Sequence, residues 1–200
     1  MSESFRAFLA IELPREARET IARAASVLQS VAPNGARFVP PENVHLTIKF
    51  LGQLPEEVAP RLLRAVLSRL ATTEPFEVEV GGLGAFPKAR AARVLWVGIT
   101  DGGAPLARLA RRVEAAAARV GIARERRPYR GHLTLARLRE PAPIPIDRLE
   151  APPPVRFAVR EVVLFRSDLS SSGARHSAVA RLPLGKGEVD LDLVSTHPQG

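Results

Sequence analysis

Hydrophobic positions change period several times along the chain. Residues 5–13 are almost continuously apolar and stop at Pro14, which predicts a strand. Ala17, Ile21, Ala24, Ala25, Leu28 and Val31 then recur at helical spacing and predict a helix over 15–31, closed by Pro33-Asn34-Gly35. A short extended piece, 37–39, leads to Pro40-Pro41-Glu42-Asn43, where the prolines force a loop. The run 44–51 reads as a strand ended by Gly52, and Val58, Leu62, Leu63, Val66, Leu67 and Leu70 stripe a helix over 55–70. Residues 76–80 alternate as a strand that Gly81-Gly82-Leu83-Gly84 is expected to break, and 93–99 predict another strand. After Gly102-Gly103 comes a third helix over 105–120, with Gly121 as its cap. The second half predicts strands at 132–138, 155–166 (long, with room for a bend) and 176–184. A connection holding six prolines spans 139–154, with one short helix around 147–150, and a polar turn spans 167–175.

Composition narrows the class. Two hundred residues with 46% apolar content support one compact domain or two packed lobes. Residues 185–200 lose hydrophobicity and are expected to form a mobile tail, leaving 1–184 as a single two-lobed unit. Cysteine is absent, which excludes disulfides, thiolate ligands and a cysteine nucleophile. No secretory signal and no membrane-length apolar run are present, so a cytoplasmic protein without membrane contact is expected. A monomer is expected as well. The net charge is +8, and all but Lys49, Lys88 and Lys186 of the 29 cationic residues are Arg. Arg matches phosphate geometry, although a base-composition bias explains the excess equally well.

One tetrapeptide organises the candidate chemistry. His45-Leu46-Thr47-Ile48 returns as His132-Leu133-Thr134-Leu135, 87 residues further on, and uses two of the four histidines. In a strand, positions i and i+2 share a face, so each copy presents an imidazole beside a hydroxyl. Packing alone gives little reason to repeat His in that setting, against the reading of two half-buried histidines bonded to backbone. Two imidazoles can divide acid and base work. Thr47 and Thr134 can donate to non-bridging phosphoryl oxygens. An acyl-transfer site would need a strand-to-helix elbow of the Gly-x-Ser-x-Gly type. A metal hydrolase would need an acidic third ligand, and nucleotide-driven chemistry a phosphate loop; none of these is visible. No metal and no cofactor is therefore expected.

Two His-x-Thr-x motifs at this separation resemble the 2H phosphoesterase superfamily. The similarity is greatest to the RNA 2′,3′-cyclic phosphodiesterases, historically called 2′-5′ RNA ligases. It extends over 5–14, Pro41-Glu42-Asn43-Val44-His45-Leu46-Thr47-Ile48-Lys49-Phe50-Leu51-Gly52, Gly84-Ala85-Phe86-Pro87, 93–97 and His132-Leu133-Thr134-Leu135-Ala136-Arg137. The resemblance implies an α+β, bilobal fold: two pseudo-symmetric antiparallel-sheet lobes with outer helices and a central cleft. It implies metal-independent hydrolysis of RNA 2′,3′-cyclic phosphate ends to a 2′-phosphate, with Arg137 near the phosphate. It also implies His45 as general acid and His132 as general base, although the two motifs are too alike for their residues to divide the roles. Members often carry a Tyr in the last strand region, where this chain has His176.

Further substrate contacts are expected among Arg37, Phe50, Arg130 and His176. Phe50 is a candidate for base stacking, although its place in an apolar strand favours core packing. Trp96 reads as core or cleft wall, and His197, in the tail, as inert. Two alternatives stand beside the main reading: a non-catalytic module that binds phosphorylated RNA ends, and a cyclic phosphodiesterase acting on small nucleotides.

Overall fold

The computed structural model describes residues 3–170 and 173–186. The elements run β1 (Ser4–Glu12), α1 (Arg15–Gln29), β2 (Arg37–Phe38), β3 (His45–Pro55), α2 (Ala59–Leu70), β4 (Phe76–Phe86), β5 (Ala92–Asp101), α3 (Gly103–Arg119), β6 (His132–Ala142), β7 (Val155–Val159), β8 (Glu161–Ser170) and β9 (Gly173–Pro183). All strand pairs are antiparallel, in the order β7-β4-β5-β6-β3-β1-β8-β9, with β2 also on β6. The sheet divides at its middle into two four-stranded lobes, β3-β1-β8-β9 and β6-β5-β4-β7. Each lobe starts at a His-x-Thr strand paired with the strand that precedes a helix: β1 before α1, and β5 before α3. The strand ladders of the two lobes join at one bridge, Leu46 to Leu133, and β2 occupies the edge of β6 farther along. This is the α+β, two-lobed architecture the motifs imply.

Burial explains the sequence patterns. Apolar stripes of the helices, Ile21 and Leu28 of α1, Leu62 and Val66 of α2, Leu109 and Val113 of α3, share one core with Leu46 and Leu133. Phe8 and Ala10 of β1 instead join Val163 and Phe165 in a small cluster on the opposite face of the sheet. Residues 7–11 are continuously apolar because their strand is covered on both faces. No helix among the described residues is long and apolar enough to cross a membrane.

Several element boundaries differ from expectation. The helix expected over 55–70 starts at Ala59, because Pro55 still pairs with Ser4 in the sheet. The glycines at 81–84 do not break their strand: β4 runs through them with a register shift between Gly81 and Leu83, and Gly82 takes φ 68°. A Cβ on Gly84 would lie 2.2 Å from the Trp96 ring, so the glycine admits that ring against the β4 backbone. β6 extends into the proline-rich connection as far as Ala142, and the short helix there is a 3₁₀ turn at Ile146–Arg148. The long strand expected over 155–166 divides at Arg160, whose carbonyl accepts from Leu184 N–H. Most of the expected turn at 167–175 is strand, paired from Ser167–His176 to Ser170–Gly173. At the start of the expected tail, Gly185 N–H donates to the Leu70 carbonyl. Residues 187–200, His197 among them, lie outside the described residues.

Candidate active site

The Leu46–Leu133 bridge sets the geometry of the site. Both leucines are fully buried beneath the sheet, so their neighbours His45, Thr47, His132 and Thr134 emerge on the other face. In antiparallel register Thr47 stands across from His132, and Thr134 from His45. The two histidines occupy diagonal positions, which stand about 7–8 Å apart in such a pair.

A bulge then shifts each strand's facing. Opposite β1, the register steps from Ala10–Thr47 to Leu9–Lys49; opposite β5, it steps from Trp96–Thr134 to Leu95–Ala136. The extra residue reverses the alternation beyond it. Phe50 and Arg137, each five residues after its histidine, therefore return to the histidine face. The first nine positions of β3 and β6 have the same burial pattern, so the pseudo-symmetry extends beyond the tetrapeptides. Phe50 does not pack in the core: it is 63% exposed, opposite Phe8 in register. The same bulge turns Lys49 inward, where only 5% of it is exposed. Its ammonium meets Glu114 of α3 at 2.9 Å and the Ala123 carbonyl at 3.0 Å.

Both imidazoles are held alike. Nδ1–H of His45 donates to the Asn43 carbonyl at 2.8 Å, and Nδ1–H of His132 to the Arg130 carbonyl at 2.7 Å. A carbonyl can only accept, so each Nδ1 carries the proton and each Nε2 is left for proton transfer. Their surroundings differ. His45 stacks on Phe8 with centroids 4.5 Å apart and meets His176 edge-on at 5.3 Å. Burial lowers its pKa to about 4; the Asn43 carbonyl opposes the shift, and nearby His176 adds to it. His176 is also lowered, by burial and then by Arg6, with Asp168 opposing, and its buried Nδ1 has no hydrogen-bond partner. His132 meets Phe86 edge-on at 4.9 Å, with the Arg130 guanidinium 5.8 Å from the Phe86 ring centre.

Arg37 and Arg137 are direct partners in the β2–β6 register and share a face. Neither forms an ion pair among the described residues. Like charges placed directly opposite cost stability, a cost that an anion between them removes. A cavity of about 330 Å³ opens beside His132, with Phe86, Trp96, Tyr129 and Arg130 among its walls. No group of three or more potential metal ligands occurs among the described residues.

The structure thus brings His45, Thr47, Phe50, His132, Thr134, Arg137 and Arg37 to one face, with His176 against His45 and Arg130 at the cavity. Sequence reasoning missed Phe8 and Phe86, which back the two imidazoles, and Tyr129. The Tyr129 phenol, kept protonated by burial, donates to the Thr47 carbonyl at 3.0 Å and ties the two motif strands together. Its place three residues before His132 was visible in the chain; its partner, 82 positions away, was not.

Known proteins resemble this chain over most of its length. Residues 13–170 match the model of the 2′-5′ RNA ligase superfamily. An RNA 2′,3′-cyclic phosphodiesterase of Methanothermobacter thermautotrophicus is 34% identical over 174 residues, covering 84% of this chain and 92% of that protein. The protein of the same name from Escherichia coli is 31% identical over 190 residues, covering 92% and 99%. The crystal structure of E. coli LigT in apo form superposes with a TM-score of 0.75 at 29% identity, covering 92% of this chain and 99% of that one. The chain belongs to the 2′-5′ RNA ligase superfamily.

Proposed function

We propose that the chain hydrolyses RNA 2′,3′-cyclic phosphate ends to 2′-phosphates without a metal ion. The observation that carries this reading is the arrangement around Leu46–Leu133: two imidazoles, each with Nδ1 engaged and Nε2 available, and two threonine hydroxyls on one face. Relatives that cover most of the chain bear the name of this activity.

His132 Nε2 takes a proton from water as the water oxygen bonds to phosphorus. The bond from phosphorus to O3′ breaks, and His45 Nε2–H protonates the departing oxygen, leaving a 3′-hydroxyl and a 2′-phosphate. Thr47 and Thr134 donate to the non-bridging oxygens, where charge grows; one such donor contributes about 3 kcal/mol. Arg137 and Arg37 offset the phosphate charge. The bound anion opposes the burial that lowers His45, returning it towards the protonated form an acid needs. Phe50 offers an exposed ring to a base, and the cavity beside His132 takes a neighbouring part of the nucleotide.

Residues 1–184 act as one catalytic unit, to which each lobe contributes one His-x-Thr strand. Both motifs lie in the same chain, so a monomer suffices, and we place it in the cytoplasm. The test is an end-group assay: RNA bearing a 2′,3′-cyclic phosphate is incubated with the protein and EDTA. A 2′-phosphate product is expected. A 3′-phosphate, or turnover that stops with EDTA and returns with one divalent ion, would refute the reading.

A further inference from the structure

Helices α2 and α3 are rich in arginine and nearly free of acids. α2 carries Arg61, Arg64 and Arg69 and no acid; α3 carries Arg108, Arg111, Arg112 and Arg119 against a single acid, Glu114. Glu114 is already engaged, one carboxylate oxygen on Lys49 and the other on the Glu125 N–H. By contrast, α1 sets Glu16 and Glu19 among its three arginines. A base-composition bias would enrich Arg on every exposed helix; it does not account for the near absence of acids on these two.

Between α2 and α3 lies a shallow hollow of about 310 Å³ lined by Arg69, Arg108, Arg111, Arg112 and Ala115. Arg112 has a structural role: its guanidinium donates to the Arg69 carbonyl at 3.2 Å and to Thr72 Oγ1 at 2.8 Å, closing the C-terminal end of α2. Among the described residues none of the four arginines forms an ion pair. Gathered like charges of this kind raise the potential of a surface and draw polyanions to it. The apolar sides of both helices enter the core with Leu46 and Leu133, so the arginines face away from the sheet, opposite to His45 and His132.

We infer that the α2–α3 face is a second binding surface, for the phosphodiester backbone of RNA, separate from the catalytic cleft. A membrane surface fits less well. Peripheral helices pair basic charge with apolar side chains that enter the bilayer. The exposed large hydrophobic among the described residues is Phe50, on the cleft face. Planar guanidinium groups favour phosphate oxygens, and the choice of RNA as their source rests on the substrate reading above. The surface holds the body of an RNA while its end is processed, and reads no base.

The test is fluorescence anisotropy with a single-stranded RNA of about 20 nucleotides ending in a 3′-hydroxyl, titrated at several salt concentrations against wild type and against Arg69→Gln/Arg108→Gln/Arg111→Gln. Each lost phosphate contact on a single strand changes the slope of log K against log salt by about 0.7, so the triple variant should be less steep by about 2 and, near 0.1 M salt, bind about 100-fold more weakly. The corresponding triple Lys variant should stay close to wild type, and hydrolysis of a cyclic mononucleotide should be unchanged in both. Should the triple Gln variant fail to fold, Arg111→Gln alone is read for a slope change of about 0.7. Wild-type affinity and slope in the Gln variants would overturn the proposal. So would competition by polyglutamate or anionic vesicles as effective as that by RNA at equal charge. Because the probe RNA has no cyclic end, failure here leaves the hydrolytic reading standing, and failure of hydrolysis leaves this binding measurable.

Discussion

The Tyr129 hydroxyl donates to the main-chain carbonyl of Thr47 over 3.0 Å, joining the loop before one motif strand to the beginning of the other. The Tyr129 hydroxyl thus acts on the phosphate through Thr47, as a positioning group, while its ring walls the cavity beside His132. Tyr129→Phe should cost about 1 kcal/mol of stability, the usual net worth of one hydrogen bond. It should also lower kcat several-fold with little change in KM, because a displaced Thr47 loses contact mainly in the transition state. Urea unfolding and steady-state kinetics on a cyclic mononucleotide read the two effects. A stability loss with kcat intact would show that the bond does not position the threonine.

The two histidines should act as one unit. A protonated acid and a neutral base are needed together, so kcat/KM against pH should be bell-shaped. In the free protein His45 lies near 4, so one limb of kcat/KM should fall well below the ordinary imidazole range. The matching limb of kcat should move up once the phosphate is bound. His45→Ala and His132→Ala should each cost on the order of 10²–10⁴ in rate, and the double variant less than their product. With sulfur in place of the 3′ leaving oxygen, His45→Ala should recover and His132→Ala should not. Recovery of His132→Ala instead would exchange the roles.

Thr47→Val and Thr134→Val keep shape and strand preference but remove the hydroxyl. Each should lower kcat more than it raises KM, by about 3 kcal/mol in transition-state terms. Wild-type kcat in both would mean that the hydroxyls do not touch the phosphoryl group.

Arg37 should trade stability for binding. It stands directly opposite Arg137, and opposed like charges in a sheet cost roughly 0.2–1 kcal/mol. Arg37→Gln should therefore raise the unfolding free energy slightly while raising KM for the cyclic substrate. Lower stability with KM unchanged would argue that no anion sits between the two arginines.

His45 should also make stability depend on pH. Burial holds its pKa at about 4, whereas an imidazole in an unfolded chain titrates near 6.5. Between these values the unfolded chain binds more protons, so stability rises with pH across the window. The contribution is fully present above about 6.5 and is lost as the pH falls through 4; a shift of this size corresponds to about 3 kcal/mol. Denaturant titrations of wild type and His45→Gln from pH 4 to 7 should show a flatter slope in the variant. Parallel slopes would place the histidine in contact with water.

Much of this was legible along the chain. Helix stripes such as Leu62, Val66 and Leu70 follow from a local period, because an apolar face must be buried wherever the helix packs. The His-x-Thr repeats are local too: i, i+2 alternation puts His45 with Thr47 and His132 with Thr134 in any strand. What lay beyond reach depends on partners distant in sequence. Gly81 to Gly84 read as a break because the Trp96 ring that needs Gly84 comes from the next strand. Phe50 read as core because plain alternation cannot reveal a bulge, and the bulge exists only relative to the register of β1. Taken alone, the sequence determined which residues are candidates for the chemistry and which face of its own strand each histidine shares with its threonine. The tertiary structure alone decided that these two faces are one. A single bridge between Leu46 and Leu133 brings residues 87 positions apart into register, and that pairing depends on the shared core beneath the sheet.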